Sequence, residues 1–359
     1  MAIQTVASVA KRVLTSASSR LGIPDPLSEV SSLIDHTLAY PLRPTRRAPL
    51  APHFSETTPE SLSFLLAADA PGIGSDDRVE SSTQAMREIA ARNFGTKAAY
   101  WIDNKTEPMR SSGYAREASF GARFGSCFDR DGISESFVQY EWGPQMMESL
   151  TSPMFQAVRT AMEALPGLEP SLNTVRCGRT SGSQQISFSV NRALPLSGLQ
   201  PLMDRFGLGH RHASLMSATA FVLGARFTLP PVSAQITLRP TRSGMELRLD
   251  VNLDALPDPP AQLMALMRLQ MTERPRSAAG LDRWLMALTP DGFPGPGTVN
   301  VLSVWVRPDL PARLALYLRP ALFSPEGANV APPQPAAASL DAVVAHDDWA
   351  TPQWADLNA

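Results

Sequence analysis

Lysine and cysteine are both scarce in this sequence of 359 residues. Lys11, Lys97 and Lys105 are the only lysines among 32 basic residues, so an anion site would have to be built from arginine. The two cysteines, Cys127 and Cys177, exclude a disulfide scaffold and a four-cysteine metal site. The net charge of −2 implies no strong electrostatic attraction to nucleic acid or to an anionic membrane. No apolar run is long enough to span a bilayer, and a cytoplasmic location is the expectation.

Proline divides the chain into three predicted parts. Residues 1–58 are expected to form an N-terminal arm that is partly helical, and its proline-punctuated end, Pro41–Pro59, is predicted to be irregular. Residues 59–320 are expected to form a single domain. Residues 321–359 are rich in proline, alanine and acidic residues, which predicts a flexible tail.

Four segments of the central domain have the pattern strand, turn, strand. Their turns are predicted at Asp131-Gly132, Ser181-Gly182, Ser243-Gly244 and Pro308-Asp309. Apolar residues at helical spacing fill the intervals and predict pairs of helices, including one at 59–70 and 77–95 upstream of the first hairpin. The unit is therefore two helices followed by two strands, used four times. Residues 97–105 are expected to belong to a fifth strand pair, whose partner is not assigned.

The predicted strands alternate between an aliphatic face and a polar face. In the last strand, the three residues Leu314, Leu316 and Leu318 oppose Arg313, Ala315, Tyr317 and Arg319. The strands at 185–191, 233–239 and 246–253 alternate in the same way, with glutamine, serine, asparagine, threonine and arginine on the polar side. Consecutive hairpins favour an antiparallel sheet with helices on its apolar face. Two architectures fit this pattern: an open sheet with helices on one face, and a closed barrel with the polar face lining its lumen. Few acidic residues lie on the polar face, which favours an enclosed lumen that accepts an anion.

Four such units resemble the aromatic prenyltransferases of the ABBA, or PT-barrel, fold. The segment "ARLALYLRP" is similar to a strand of the dimethylallyl tryptophan synthase branch that ends in a basic residue, tyrosine and proline. The segment "FVQYEWG" is similar to a strand of related microbial enzymes. The resemblance covers roughly residues 60 to 320 and implies an α+β fold, an antiparallel barrel ringed by helices. It also implies transfer of an allylic prenyl group from its diphosphate to an aromatic acceptor of one of three kinds: an indole, a phenol or an aromatic residue of a peptide.

The resemblance also implies roles for individual residues on the polar faces. Guanidinium groups would stabilise the diphosphate leaving group, and aromatic faces would shield the allyl cation. The residues implied for the diphosphate are Arg123, Arg179, Arg239, Arg248, Arg313 and Arg319. Tyr317 and Trp305 would shield the cation, Glu141 would be the base that deprotonates the acceptor, and Glu246 is the alternative base. The family's lumens are often rich in tyrosine, whereas this chain has five tyrosines, and Ala315 occupies a position that is commonly basic.

The sequence alone leaves other functions and partners open. A non-catalytic or accessory protein that binds a small molecule or peptide in the same lumen is one alternative, and a barrel enzyme repurposed for cyclisation is another. The expected ligands are an allylic diphosphate and an aromatic acceptor, the expected state is a monomer or homodimer, and no nucleic-acid or membrane partner is expected. No cofactor is required by this chemistry, and Mg²⁺ accompanying the diphosphate is left open. His210 and His212 are separated by one residue, and the further ligands that a metal site needs do not accompany them at a supporting spacing.

Overall fold

The computed structural model describes residues 4–42, 48–67, 72–111, 118–143 and 145–323. Ten helices lie in these ranges, and three of their predicted pairs are confirmed, with breaks near Leu150, Gly207 and Arg274. The helices are α1 (Val6–Leu21), α2 (Leu27–Thr37), α3 (Ser75–Asn93), α4 (Thr96–Ser111), α5 (Met146–Ser149), α6 (Ser152–Ala164), α7 (Gln200–Arg205), α8 (His212–Val222), α9 (Leu263–Gln270) and α10 (Pro275–Leu288). None of the described helices is long and apolar enough to cross a membrane. The predicted tail from 324 onward lies outside the described residues.

Ten antiparallel strands close into a barrel, and a separate two-stranded sheet lies outside it. The strands are β1 (Leu50–Ser55), β2 (Leu62–Leu66), β3 (Ala122–Asp129), β4 (Gly132–Glu141), β5 (Leu168–Gly178), β6 (Gly182–Val190), β7 (Leu194–Pro195), β8 (Thr228–Leu229), β9 (Ala234–Thr241), β10 (Gly244–Asn252), β11 (Gly297–Arg307) and β12 (Leu310–Pro320). Around the barrel their order is β1, β12, β11, β10, β9, β6, β5, β4, β3, β2. The closed barrel is therefore confirmed over the open sheet, and closure leaves no exposed strand edge.

The alternation of the strands decides which residues face the helices. Leu314, Leu316 and Leu318 of β12 are buried beneath the outer layer, and Ile186 and Phe188 of β6 are fully buried in the same core. The polar residues between them point inward, because successive side chains of a strand lie on opposite faces. Two of the predicted turns depend on glycine. Gly132 and Gly244 have φ values of 96° and 119°, which residues with a side chain rarely adopt.

The fifth hairpin differs from the sequence prediction. It consists of β1 and β2, so the prediction of a helix at 59–70 was wrong, and so was that of irregular structure over residues 50–55. Pro52 argued against a strand at β1, because proline has no N–H to donate to a sheet. The apolar run at 62–66 was ambiguous, because a short apolar run fits a buried helix as well as a strand. The strand predicted at 97–105 is helical in α4. Ile102, Thr106 and Met109 are buried there at the spacing of one helix face.

Tyr140 connects the barrel wall to the helix layer. Its hydroxyl lies 2.8 Å from that of Thr83 on α3, and Thr83 in turn donates to the carbonyl of Val79, so Tyr140 is the donor of the pair. Both side chains are buried, and burial raises the pKa of the Tyr140 phenol, which stays protonated.

We expect Tyr140→Phe to lower the free energy of unfolding by about 1 kcal/mol, the net contribution of one buried hydrogen bond. The midpoint of urea denaturation measures this change. Tyr100→Phe is the matched control, because Tyr100 is 73% exposed and has no role in the core. Equal midpoints for the two variants would contradict the assignment of the buried bond.

Candidate active site

The barrel lumen contains two adjoining chambers. The larger, of about 470 Å³, lies where the strands connect to the helices, and we call it the helix-end chamber. The smaller, of about 280 Å³, lies beside the hairpin turns, and we call it the turn-end chamber. Arg248 and Tyr317 contribute to the walls of both chambers. The two residues therefore mark the junction at which ligands in the two chambers would meet.

Three of the predicted diphosphate residues line the helix-end chamber together. Arg123 comes from the start of β3, Arg248 from the middle of β10 and Arg319 from the end of β12. The guanidinium of Arg123 also lies 4.2 Å from the ring centroid of Phe120. The wall between the arginines is largely apolar or neutral. It includes Ala48, Ala51, Leu65, Ala67, Leu172, Val301, Gln139 and Asn300.

Carboxylates in the lumen already partner two of these arginines. Arg248 donates from Nε to Asp250 at 3.0 Å, and the hydroxyl of Ser303 donates to the same carboxylate. Arg319 forms an ion pair with Asp254. A guanidinium has five N–H donors in a fixed fork, so one carboxylate does not exhaust its capacity for an anion. The carboxylates hold the forks in place and reduce the net positive charge of the chamber.

The turn-end chamber has a second set of arginines, each paired with a carboxylate. Arg176 donates from Nε to Glu135 at 3.0 Å, and a second contact makes the pair bidentate. Although burial raises the pKa of Glu135, the charge and hydrogen bonds of Arg176 outweigh it and hold that pKa below its usual range. Arg239, a predicted diphosphate residue, pairs with Glu246, the alternative predicted base, at 2.9 Å. The roles predicted for Arg239 and Glu246 stay predictions.

Aromatic side chains distinguish the turn-end chamber. Phe137, Trp305, Tyr317 and the imidazole of His53 all line it. The ring centroids of His53 and Tyr317 are 4.4 Å apart, and the guanidinium of Arg176 lies 4.3 Å from the centroid of Phe137. Both predicted shield residues, Trp305 and Tyr317, are thus in one chamber. Aromatic faces of this kind stabilise cations and exclude water.

Two predicted arginines and the predicted base lie apart from the two chambers. Arg179 pairs with Asp129 beside the β5–β6 turn, at a partly exposed site. Arg313 lies near Glu56 at the turn end of β12. Glu141, at the end of β4, accepts from the N–H groups of Phe120 and Gly121 at 2.7 and 3.2 Å. None of the three is among the residues that line either chamber, and their predicted roles stay predictions.

The contacts of Glu141 predict a stability effect that depends on pH. Burial raises the pKa of Glu141, but the N–H groups and the Ser119 hydroxyl outweigh it, so the pKa is lowered. A carboxyl whose pKa is lower in the folded state stabilises the fold above its unfolded pKa, and this contribution is lost as the pH falls through the folded value. We therefore expect Glu141→Gln to unfold at a lower urea concentration than the wild type at pH 7, with the difference vanishing in strong acid. A difference that persists in acid would contradict this origin.

Sequence reasoning missed three residues that the structure makes prominent. His53 was missed because its strand was assigned to the irregular arm. Arg176 was missed although it lies on the same face of β5 as the polar Thr174, which was a usable signal. Glu56 has a fully buried side chain that contacts Arg274 and Arg313, and nothing in its local pattern marks it. Within the described ranges, no group of three or more histidine, cysteine, aspartate or glutamate side chains is placed to hold a metal ion.

The fold of this chain is that of the ABBA, or PT-barrel, prenyltransferases, as the resemblance implied. No protein-family model matches the sequence, and no curated protein sequence matches it. The likeness therefore lies in the three-dimensional structure, with a low level of sequence identity.

Three solved structures show this likeness over nearly their whole length. The prenyltransferase PriB, in ternary complex with L-tryptophan and dimethylallyl thiolodiphosphate, has a TM-score of 0.68 at 15% identity, covering 89% of this chain and 98% of PriB. A 6-dimethylallyl tryptophan synthase has a TM-score of 0.69 at 14% identity, covering 93% of this chain and 100% of that one. The 5-dimethylallyl tryptophan synthase from Streptomyces coelicolor, in complex with DMASPP and Trp, has a TM-score of 0.65 at 17% identity, covering 89% and 96%.

Proposed function

We propose that this protein transfers an allylic prenyl group from its diphosphate to an aromatic acceptor inside the barrel. The observation that carries the proposal is the adjacency of the two chambers. The helix-end chamber gathers Arg123, Arg248 and Arg319 around a largely neutral wall, and the turn-end chamber is lined with aromatic rings. Arg248 and Tyr317 lie where the two meet, which is where the bond between donor and acceptor would form.

The donor fits the helix-end chamber on chemical grounds. Its diphosphate would accept hydrogen bonds from the three guanidinium forks, which stabilise the charge that develops on the leaving group as the allylic C–O bond breaks. Apolar residues such as Leu65 and Leu172 would contact the prenyl chain. The allylic carbon would then point past Tyr317 towards the turn-end chamber.

The acceptor fits the turn-end chamber. An aromatic ring there would lie among Phe137, Trp305 and Tyr317, whose faces also stabilise the allyl cation and keep water from it. The relatives support this class of acceptor, since PriB and the synthase from Streptomyces coelicolor were solved with tryptophan and an analogue of the diphosphate.

The test is an incubation of the purified protein with dimethylallyl or geranyl diphosphate and tryptophan, tyrosine or an indole-containing peptide, with and without Mg²⁺. The expected result is a product whose mass exceeds that of the acceptor by one prenyl unit. Calorimetry with dimethylallyl thiolodiphosphate, a donor analogue, measures binding independently of turnover. Absence of both binding and product would overturn the proposal.

A second candidate function is binding without catalysis. The ion pairs of Arg248 with Asp250 and of Arg319 with Asp254 favour it, because a chamber with both signs of charge also suits a zwitterionic ligand. Tight binding of tryptophan with no affinity for the donor analogue and no product would support this candidate over prenyl transfer.

A further inference from the structure

His53 is the one imidazole that lines either chamber within the described part of the chain. It lies in β1, opposite Tyr317 of β12 on one side and Ser63 of β2 on the other. The ring faces the turn-end chamber and is packed against the ring of Tyr317. No described side chain forms a hydrogen bond or an ion pair with it. A polar ring aimed into a cavity in this way is available to a ligand.

The other proton acceptors of the turn-end chamber are already engaged. Glu135 is held by Arg176, and Glu246 by Arg239. Burial raises the pKa of the Tyr317 phenol, and it likewise raises that of the Cys127 thiol, so both keep their protons. The lone pair of His53 is thus left as the accessible basic site among the described residues of this chamber.

We propose that His53 accepts the proton that the aromatic acceptor loses during prenyl transfer, a role that rests on the function proposed above. The allylic C–O bond breaks and its electron pair leaves with the diphosphate. The acceptor's π electrons form the new C–C bond to the allylic carbon, which places a positive charge on the acceptor ring. A ring nitrogen of His53 then takes the proton from the substituted carbon, and the C–H electron pair restores the aromatic ring. The proton passes to solvent when the product leaves.

The surroundings of His53 suit this step. Burial, together with the charges of Arg248 and Arg176, lowers the pKa of His53 to about 3, so the ring is neutral at pH 7. A neutral ring is ready to accept a proton, and a protonated acceptor ring is acidic enough to give one to a weak base. Charged and titratable groups from seven other strands line the same chamber. They are Cys127 on β3, Glu135 on β4, Arg176 on β5, Arg239 on β9, Glu246 and Arg248 on β10, Arg307 on β11 and Tyr317 on β12.

The shared arginine couples the donor to the base. A diphosphate bound in the helix-end chamber would place negative charge beside Arg248, which offsets the positive potential that this arginine exerts on His53. The basicity of His53 would therefore rise when the donor is bound and fall again when diphosphate leaves. This coupling can be measured without turnover.

The first test compares His53→Asn with His210→Asn. His210 contacts only the carbonyl of Pro308 at an exposed turn, so its variant is a matched control. We expect His53→Asn to form product about 100-fold more slowly or worse, the lower limit of general-base contributions, while the dissociation constant for dimethylallyl thiolodiphosphate is unchanged. In a further variant, His53→Ala, added imidazole should restore product formation, because a small base can enter the space left in the chamber.

The second test uses wild-type protein with isotope-labelled histidine. The NMR titration midpoint of His53 should move to higher pH when inorganic pyrophosphate is bound. Equal rates of product formation in His53→Asn and His210→Asn would overturn the role of His53 alone. An unmoved midpoint in the presence of bound pyrophosphate would overturn the coupling, and absence of both product and analogue binding with the wild type would overturn the underlying function as well.

Discussion

Glu56→Ala is expected to destabilise the fold by about 3–5 kcal/mol, the range for breaking a buried ion pair by removing one partner. The side chain of Glu56 is fully buried just beyond the end of β1. It accepts from the backbone N–H of Leu314 at 2.8 Å, forms an ion pair with Arg274 on the loop before α10, and lies 3.8 Å from Arg313. Its removal would leave a buried N–H without its partner and two guanidinium groups without their carboxylate.

The denaturation midpoint in urea, at pH 7, measures this loss. Glu60→Ala is the control, because Glu60 is also paired with arginines, Arg130 and Arg283, but lies in solvent. Exposed ion pairs contribute little, so the midpoint of Glu60→Ala should stay close to that of the wild type. If Glu56→Ala matched that control, Glu56 would not be the connection between the barrel and α10 that its contacts indicate.

Arg248→Met is expected to weaken binding of dimethylallyl thiolodiphosphate about 10- to 100-fold, because hydrogen bonds to charged groups contribute about 1.5–3 kcal/mol each. Methionine keeps much of the volume of the side chain, so the walls of both chambers should persist. The change also removes the partner of Asp250, whose negative charge would then repel the diphosphate. The measurement is calorimetry with the donor analogue.

Arg179→Met is the control for Arg248→Met. It removes an arginine that was assigned to the diphosphate on the same sequence argument but that lies beside a turn, paired with Asp129. Its affinity for the analogue should equal that of the wild type. Equal losses in the two variants would show that overall charge, and not the position of Arg248, determines donor binding.

The sequence predicts the barrel well because its signal is repeated. Four strands share one alternation, and the same polar face recurs at Gln185, Thr237, Arg248 and Tyr317, all of which lie in the lumen or its wall. A repeated pattern survives local exceptions, such as the poorly alternating β11. The hairpin of β1 and β2 is not repeated elsewhere in the chain, and its proline breaks the local pattern, so it was missed.

The site was harder to predict than the fold. Alternation assigns a residue to the lumen but does not determine its partner there, so the ion pairs of Arg239 with Glu246 and of Arg319 with Asp254 could not be foreseen. Alternation also does not show how far along the strand a residue lies from the cavity. Glu141 is on the face of β4 that points into the lumen, but it lies at the end of the strand. The ion pairs between side chains in the lumen determine the chemistry of the site, and pairs such as Arg239 with Glu246 join residues of different strands.

The pairing of β1 with β12 has a consequence for how the protein is made. His53 lies opposite Tyr317, so two residues of the proposed site are separated by almost the whole described chain until the last strand is in place. Contacts of such long sequence separation form slowly, because a large loop must close before any of them can stabilise the fold. During synthesis on the ribosome, neither chamber can be complete before β12 has emerged. The proposed acceptor chamber would then be assembled in the same step that closes the barrel.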